Sequence, residues 1–556
     1  MAGATYTFGW PCVFDPNKET KLLLMWGNNQ IYLMGGFLRE EMRTALLGGA
    51  KLVVIDPKRI DIAKRADIWL HPKPSTDGAL ALGMIKVIIE NNLYDRDFVN
   101  QWTVGFDELA DHVKSFSLDD VEKVTWVPKT NIEETARLLA STKPLSLVVG
   151  NGIERNLNAF QQLRAIFILR AIVGDINTSG GNVRLTPPPY TRPGTFINLK
   201  NSVRLEKIKN KEVLGPEYGI AQRNAYIPIQ SFVKSFSGEA PYPIKAAICV
   251  LTDPLVSYPD TEATYQAFMK LDFTVVSEIF HTPTTNVADI VLPAAWGAEH
   301  DTVGYWPGYH EEIRAYPKIV DPPGEALSDP DWINKLSEEL GLKGIWKNEE
   351  EALDYMLAPS GLNWDKFKDI RSLESKKEYK KLEEGVFTTP SGKVEIYSAN
   401  LKKLGYEPIP TFNELSRSRF NGSPEFPLLL FNGKEAAYML TGYKQVSSLR
   451  KMRPHPTVDL HPDTAAEYGL QEGDWIYIES RKGRIKQKLA FDPDLDRRLV
   501  FASFGWYFPE SPEGNYGYRQ SNINVLTDID PPYENMTGAI ELGGIPCRVY
   551  KVETEE

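Results

Sequence analysis

Cysteine is nearly absent from this chain of 556 residues: only Cys12, Cys249 and Cys547 occur. Three scattered thiols exclude a disulfide framework, and without a CxxC pair there is no local ligand set for zinc or an iron–sulfur cluster. Cys249, in the apolar run Ala246 to Leu251, and Cys547, in IPCRVYKV, read as small core or strand residues. Cys12, after Pro11, is the one thiol to consider as a ligand. Long apolar runs are also missing, and no window approaches the roughly 18 uninterrupted apolar residues of a membrane span. Basic excess is missing too. Lysine and arginine number 63 against 74 acidic residues, a net charge of -11. That balance argues against nucleic acid as the main partner, because phosphate binding needs a concentrated basic face. The opening MAGATYTFGWPCVFDP has neither a basic n-region nor an apolar h-region, so no export signal is read there and a cytoplasmic location is expected.

What is present is a repeated local device. The run Leu22 to Met25 stops at Trp26-Gly27-Asn28-Asn29, a helical segment follows, and Leu52 to Ile55 stops at Asp56-Pro57. Two such runs around a helix predict a βαβ unit with parallel strands, and ligands of such units sit outside the carboxyl ends of the strands. Gly27 permits a turn and close approach of a ligand, Asn28 and Asn29 donate and accept hydrogen bonds, and Asp56 suits ribose hydroxyls or a guanine edge. Ala66 to Leu70 reads as a strand, with Ser75 or Thr76 expected to cap a helix over Gly78 to Asn91. Helices are expected near 96–102, 106–115 and 131–142. Leu145 to Val149 then repeats the device, ending in Gly150-Asn151-Gly152 before a helix over Asn158 to Val173. From Lys245 a second α/β region has strands ending at Thr252-Asp253, at Ser277-Glu278 and at Pro293. Five strand ends in similar contexts, at Gly27, Asp56, Gly150, Thr252 and Ser277, favour extended, nucleotide-like ligands in a crevice.

Between these regions the signal thins. Thr186 to Tyr242 reads as an irregular crossover. Glu299, His300, Asp301, His310 and Glu311 have metal-ligating chemistry, but the spacing is not that of a zinc helix, and they are read as solvated surface with no metal assigned. Helices are expected at Asp331 to Leu340 and Glu349 to Met356. Lys366 to Glu384 reads as a solvated linker, and Phe387 to Tyr397 as strand-like after its Pro-Ser-Gly turn. From Phe426 short strands (427–432, 475–480, 484–491, 499–504) and tight turns indicate a barrel-like domain, with one short helix ended by Gly469.

Taken in order, the runs LLLMWGNN, GAKLVVIDPKR, ADIWLHPKPSTDGALALGM, LVVGNGIE, VGDINTSGGNV, LTDPLVSYPD, VVSEIFHTPTTNVADIVLPAA, TPSGKVEIYS and HPDTAAEYGLQEGDWIYIESRKGRI carry a likeness over nearly the whole chain. Together they resemble the catalytic subunit of the molybdopterin oxidoreductases of the dimethyl-sulfoxide-reductase type, which carry molybdenum or tungsten on two molybdopterin guanine dinucleotides. The resemblance implies an α/β fold class: two Rossmann-like α/β domains related by pseudo-symmetry, here 1–244 and 245–423 with linker, plus a C-terminal β-barrel domain of double-psi type, 424–556. It implies one dinucleotide site at Trp26, Gly27, Asn28, Asp56, Lys58, Arg59 and Asp77, with Gly150, Asn151 and Gly152 near it. The other would involve Thr252, Asp253, Ser277, Glu278 and Thr282, while Thr441, Gly442, Tyr443, Gln445 and Asn522 would close over the pterins. His281, His300 and Asp301 are the acid–base candidates.

The departure from the pattern matters as much. Such subunits usually begin with a cysteine-rich segment for a 4Fe-4S cluster, followed by a Cys, selenocysteine, Ser or Asp that ligates the metal, shortly before a TYTFG-like run. Neither precedes Thr5 here, and Cys12 lies on the wrong side of that run. The resemblance therefore implies a truncated or split form, completed by an N-terminal cluster-bearing segment or subunit and served by an electron-transfer subunit. The missing piece is expected to include the first strand of one α/β domain, leaving apolar surface on this chain. Implied activities are oxo, sulfur-group or hydride transfer coupled to electron transfer. The rivals are a non-redox tungsten hydratase of the acetylene-hydratase type and a cofactor-free remnant.

Overall fold

The computed structural model describes residues 2–29, 35–184, 214–220, 226–240, 242–304, 312–342, 346–374, 379, 382–383, 385–412 and 422–553. Most of the expected crossover, together with His310 and Glu311, lies outside the described residues. The N-terminal region contains β1 (Cys12–Phe14), β2 (Leu22–Trp26), β3 (Lys51–Ile55), β4 (Ile68–Leu70), β5 (Thr103–Val104), β6 (Leu145–Val149) and β7 (Asn182–Arg184). Four of these form a parallel sheet in the order β4-β3-β2-β6. Every residue of β2 is buried, as an unbroken apolar run in a parallel sheet requires. Leu22, Leu24, Trp26, Val53 and Ile55 pack on one face with helices Asp77–Glu90 and Ala159–Ile172; Leu23, Met25, Leu52 and Val54 pack on the other with Met42 and Ala45 of helix Gly35–Leu47.

Helix Ala159–Ile172 is buried along its whole length, including two arginines. Charge there survives because carbonyls surround it. Arg164 donates to the carbonyl oxygens of Glu395, Ile396 and Pro408 at 3.1, 2.9 and 3.0 Å, and Arg170 donates to those of Leu145 and Gly174 at 3.0 and 2.5 Å.

The second region holds β8 (Ala246–Val250), β9 (Phe273–Glu278) and β10 (Ile290–Pro293), a parallel sheet in the order β10-β9-β8. It repeats a detail of the first sheet. Asp67, just before β4, accepts from the Leu52 amide at 2.7 Å, and Asp289, just before β10, accepts from the Thr274 amide at 2.7 Å. After it come β11 (Thr302–Gly304), β12 (Glu312–Tyr316) and β13 (Ser372–Glu374), an antiparallel sheet, and β14 (Val394–Glu395), which pairs with β5.

The last region is a closed barrel of β15 (Leu428–Gly433), β16 (Thr457–Leu460), β17 (Trp475–Glu479), β18 (Arg484–Phe491), β19 (Leu499–Ser503) and β20 (Ile545–Lys551), in the order β15-β19-β16-β18-β17-β20. Two of its pairs, β15 with β19 and β16 with β18, are parallel within an otherwise antiparallel ring. Among the described residues, no helix is long and apolar enough to cross a membrane.

Three local expectations need correction. Neither Ser75 nor Thr76 caps helix Asp77–Glu90. The Thr76 hydroxyl instead donates to the Lys73 carbonyl at 2.7 Å, while Ser75 Oγ lies 2.7 Å from Glu541 Oε1 and 2.8 Å from the Gly543 carbonyl. The segment read as a solvated linker opens with helix Trp364–Ile370, whose Trp364 and Phe367 are buried against Ile313, Leu353 and Leu357. The strand expected after the Pro390-Ser391-Gly392 turn of the Phe387 to Tyr397 segment is there, but only as the two residues of β14.

Candidate functional site

The carboxyl ends of both parallel sheets abut the barrel. At the first, β2 delivers Trp26, whose indole N–H donates to Asp77 Oδ1 at 2.8 Å. Gly27 turns the chain with φ of 57°, and the Gly150 amide donates to the Trp26 carbonyl at 2.9 Å. The two loops touch backbone to backbone: a Cβ on Gly150 would lie 1.9 Å from the Gly27 oxygen, whereas one on Gly152 would meet nothing closer than 3.5 Å. Asn151 and Gly152 are exposed at the start of a short 3-10 turn. Asn28 is buried and donates to the Val149 carbonyl at 3.3 Å, yet among the described residues its Oδ1 has no hydrogen-bond partner, and neither has that of Asn29.

At the end of β3, Asp56 accepts from the Lys58 amide at 2.9 Å. Burial pushes its carboxyl up to about 7; the Asp77 charge adds to this, while Lys58 opposes it through both its amide and its ammonium. The Lys58 side chain turns to the barrel, where it pairs with Asp459 and, at 3.0 Å, with Asp492, and lies 4.1 Å from the centre of the Phe501 ring. Arg59 pairs with Asp494 at 2.9 Å. In this structure both cations fasten the α/β unit to the barrel, and sequence reading had no means of finding carboxylates some 400 positions away.

At the second sheet, β8 leads through Leu251 and Thr252 to Asp253. Asp253 accepts from Thr284 Oγ1 through one oxygen, while Oδ2 is buried without a partner. Burial raises its carboxyl to about 7, Thr284 opposing, Glu278 adding and Lys444 opposing. Burial also raises Glu278, whose Oε1 accepts from the Ile279 amide at 2.8 Å. Ser277 donates to Asp329 at 3.3 Å, and Thr282 closes a turn with Thr285, its amide donating to that hydroxyl at 2.9 Å.

The barrel region reaches over this end. Gln445 donates to the His281 carbonyl at 2.8 Å and to the Tyr507 hydroxyl at 3.1 Å, and Tyr443 accepts from the Trp296 indole at 3.2 Å. Thr441 packs against Gly505, where an added Cβ would lie 2.9 Å from its Cγ2, and Gly442 closes a turn onto the Met439 carbonyl. Asn522 is buried as a clamp between regions, donating to the Val256 carbonyl at 2.9 Å.

Lys444 lies between two residues singled out from the sequence yet carries more of the local electrostatics than either. It is buried beside Tyr438, Trp506 and Tyr507, and burial lowers its ammonium to about 7, with the Asp253 charge opposing. Its cage comes largely from sixty positions downstream, so nothing local announced it.

The acid–base candidates do not converge. The His281 side chain is exposed. His300 Nδ1 lies 2.9 Å from Glu349 Oε1, and that hydrogen bond raises its imidazole despite partial burial. Asp301 accepts from the Lys318 amide at 2.8 Å. Cys12 sits on β1 opposite Arg184, with burial holding its thiol up at about 12, a protonated structural residue.

Comparison with known proteins agrees with this layout. The Molybdopterin oxidoreductase family profile matches residues 2–339, and the Molydopterin dinucleotide binding domain profile matches residues 428–546. Acetylene hydratase of Syntrophotalea acetylenica is 32% identical over 550 residues, covering 92% of this chain and 75% of that protein. Dimethyl sulfoxide/trimethylamine N-oxide reductase of Rhodobacter capsulatus is 26% identical, with 93% of this chain and 69% of that protein covered. Among solved structures, acetylene hydratase from Pelobacter acetylenicus superposes with a TM-score of 0.89 at 29% identity, over 99% of this chain and 80% of that one. The chain therefore belongs to the molybdopterin oxidoreductase family, a family of enzymes.

Proposed function

We propose that this chain is the larger part of the catalytic subunit of a molybdopterin-dependent oxidoreductase that holds molybdenum or tungsten on two guanine dinucleotides. The observation that carries the reading is the pairing of two strand-end crevices against one barrel, each with a buried oxygen left without a partner: Asn28 Oδ1 in the first and Asp253 Oδ2 in the second. Unmade buried acceptors are costly, about 1–3 kcal/mol each, and the lactam and amino N–H groups of guanine and pterin rings are the donors they lack.

On these observations the residues fit the group. Asn28, Asn29, Asp56 and the Gly27–Gly150 floor would hold one dinucleotide, with Asp77 steadying Trp26 beneath it. Asp253, Glu278 and Thr282 would hold the other under Thr441, Gly442, Tyr443 and Gln445. Asp56 and Asp253, whose carboxyls burial raises to about 7, would accept from an N–H pair of a guanine or pterin edge, which would favour their ionised form. Arg155 and Lys434, whose ammonium is lowered by burial and by the Arg155 charge, form a cationic pair suited to a diphosphate. When bound, the cofactor supplies redox chemistry at its metal, moving an oxo or sulfur group or a hydride. His300, hydrogen-bonded to Glu349, would carry a proton. A 4Fe-4S cluster and the metal-ligating side chain would come from a further N-terminal segment or subunit, and electrons would pass to a partner subunit.

The fold reading that accompanies this is two Rossmann-like units, 1–244 and 245–423, related by pseudo-symmetry, with a double-psi barrel over 424–556. It is supported by the matched Asp67 and Asp289 contacts and by the two parallel pairs inside the barrel.

The test is metal analysis by mass spectrometry with pterin and GMP release, on the chain alone and co-expressed with the polypeptide encoded immediately upstream. Metal and two nucleotides per chain support the reading; a folded protein with neither, in both samples, overturns it in favour of a cofactor-free remnant. A non-redox hydratase is the second reading, favoured by the 32% identity to acetylene hydratase. Turnover by addition of water, without any electron acceptor, would establish it over the first.

A further inference from the structure

A cavity of about 450 Å³ opens where residues 214–218, helix Ile229–Lys234 with the turn after it, and the loop around Tyr533 come together. That volume lies in the range of small-molecule sites. None of its lining residues belongs to the strand ends or to the positions that reach over them. Gln230 and Lys234, one helical turn apart on the same helix face, both line it. The walls are held from behind. Gln230 is buried and donates to the Gly538 carbonyl at 2.8 Å, and the Glu534 carboxylate ties the same loop, accepting from the Thr537 amide at 2.7 Å and from its hydroxyl at 2.6 Å. Tyr218 and Tyr533 meet edge to face with ring centres 6.2 Å apart.

The charges in this cavity are arranged in an unusual way. The Tyr533 hydroxyl donates to the Ile529 carbonyl at 2.8 Å and accepts from Lys234 Nζ at 2.9 Å. That hydrogen bond raises the Lys234 ammonium, with burial opposing, so the side chain is charged at neutral pH. Among the described residues no carboxylate lies within ion-pair distance of it, and two of its N–H groups remain for another acceptor. Glu217 and Glu239 line the same cavity, are exposed at its rim and have no ion-pair partner among the described residues either. Their charges reach inward: Glu239 adds to the raising of Lys234, and burial raises the Tyr218 hydroxyl with Glu217 adding.

A simple anion would be drawn by Lys234 and repelled by the two glutamates, and a simple cation would meet the reverse. A molecule carrying both charges meets attraction at each end. We propose that this cavity binds a small ammonium carboxylate, an amino acid or a betaine, with its carboxylate on Lys234, its ammonium toward Glu217 and Glu239, and its carbon skeleton against Tyr218 and Tyr533. The aromatic faces suit the cationic end as well, through the negative face of each ring. The occupant is a second ligand, distinct from whatever fills the strand-end crevices, so the proposal stands independently of the functional reading above.

The experiment is titration calorimetry of the full chain with L-alanine, L-glutamine, L-phenylalanine and glycine betaine, and with acetate, methylammonium and glucose as comparison probes. Saturable one-to-one binding of a zwitterion, at least about tenfold tighter than acetate or methylammonium, supports the proposal. Lys234→Met should weaken that binding at least about tenfold, and Lys234→Arg should restore most of it. The double change Glu217→Gln with Glu239→Gln should remove the preference for the zwitterion over acetate. Both glutamates are exposed, so this variant should melt with the wild type and serves as the test if Lys234→Met unfolds early. No saturable binding of any zwitterion, acetate bound as tightly, glucose bound more tightly, or an affinity indifferent to both the lysine and the glutamate changes overturns it.

Discussion

Trp26 and Asp77 lie fifty-one positions apart in sequence and 2.8 Å apart in space, the indole of one strand's last residue donating to the first carboxylate of a helix. The bond fixes the crevice wall. Trp26→Phe should cost about 1–3 kcal/mol beyond the packing lost, since it removes a donor from a buried carboxylate. Trp364, equally buried but with an indole N–H that has no partner among the described residues, supplies the control. Urea unfolding of W26F and W364F should show the larger loss for W26F; equal losses would mean that the bond contributes nothing.

Gly150 and Gly152 share a loop but not a constraint. A Cβ at Gly150 lands on the Gly27 carbonyl, with backbone on both sides and no flexible end to yield. Gly150→Ala should therefore drive the two loops apart, lowering the melting temperature and cutting nucleotide content severalfold. Gly152→Ala should leave both within error. A normal G150A protein would mean that the floor of the crevice is pliable.

The buried ionisable groups give the protein a two-sided pH response. Asp56 and Asp253 are raised from 3.8 to about 7 in the folded state, so their contribution is fully present below the unfolded value and is lost as pH rises toward 7. Lys444 is lowered from 10.5 to about 7, so its contribution is fully present above the unfolded value and is lost as pH falls from there toward 7. Asp253→Asn should flatten the decline on the acid side, and Lys444→Met the recovery on the alkaline side. Denaturant unfolding of each variant against wild type across both limbs is the measurement, and parallel wild-type and D253N curves would contradict the assignment.

Lys58 neutralises two carboxylates of the barrel at once. Asp459 is already raised by burial with Lys58 opposing, so Lys58→Met leaves a partly buried acidic pair without its cation. The expected loss is about 3 kcal/mol, typical of one partner removed from a buried ion pair. It should be largest at neutral pH and shrink under acid, as Asp459, raised by burial, protonates. Limited proteolysis should cut first between the α/β region and the barrel.

Much of this was legible because strands buried on both faces write themselves as unbroken apolar runs, and Leu22 to Trp26 or Leu145 to Val149 could hardly be anything else. The glycine and asparagine that follow them are local signals too. Other features were set by partners far along the chain. Thr457–Leu460 is too short and mixed to declare itself a strand, yet it is a barrel stave because β18 and β19 flank it. Ser75 looked like a cap and bonds instead near Glu541, while the chemistry of Lys444 depends on aromatic rings it meets only in the folded state. The resemblance implied Lys58 and Arg59 as part of a dinucleotide site, and their carboxylate partners arrive more than four hundred residues later.

The guanidinium of Arg164 is anchored by carbonyls of residues 395, 396 and 408, as many as 244 positions downstream. On the ribosome this sets a clock. At about 5–20 residues per second, roughly 10–50 s separate the emergence of helix Ala159–Ile172 from that of the segment that completes its burial. Throughout that interval the nascent first sheet carries an unfinished wall, with its arginine still hydrated. Slow codons between residues 172 and 395 would lengthen the exposure, and chaperones that shield apolar helices have their longest window of engagement there.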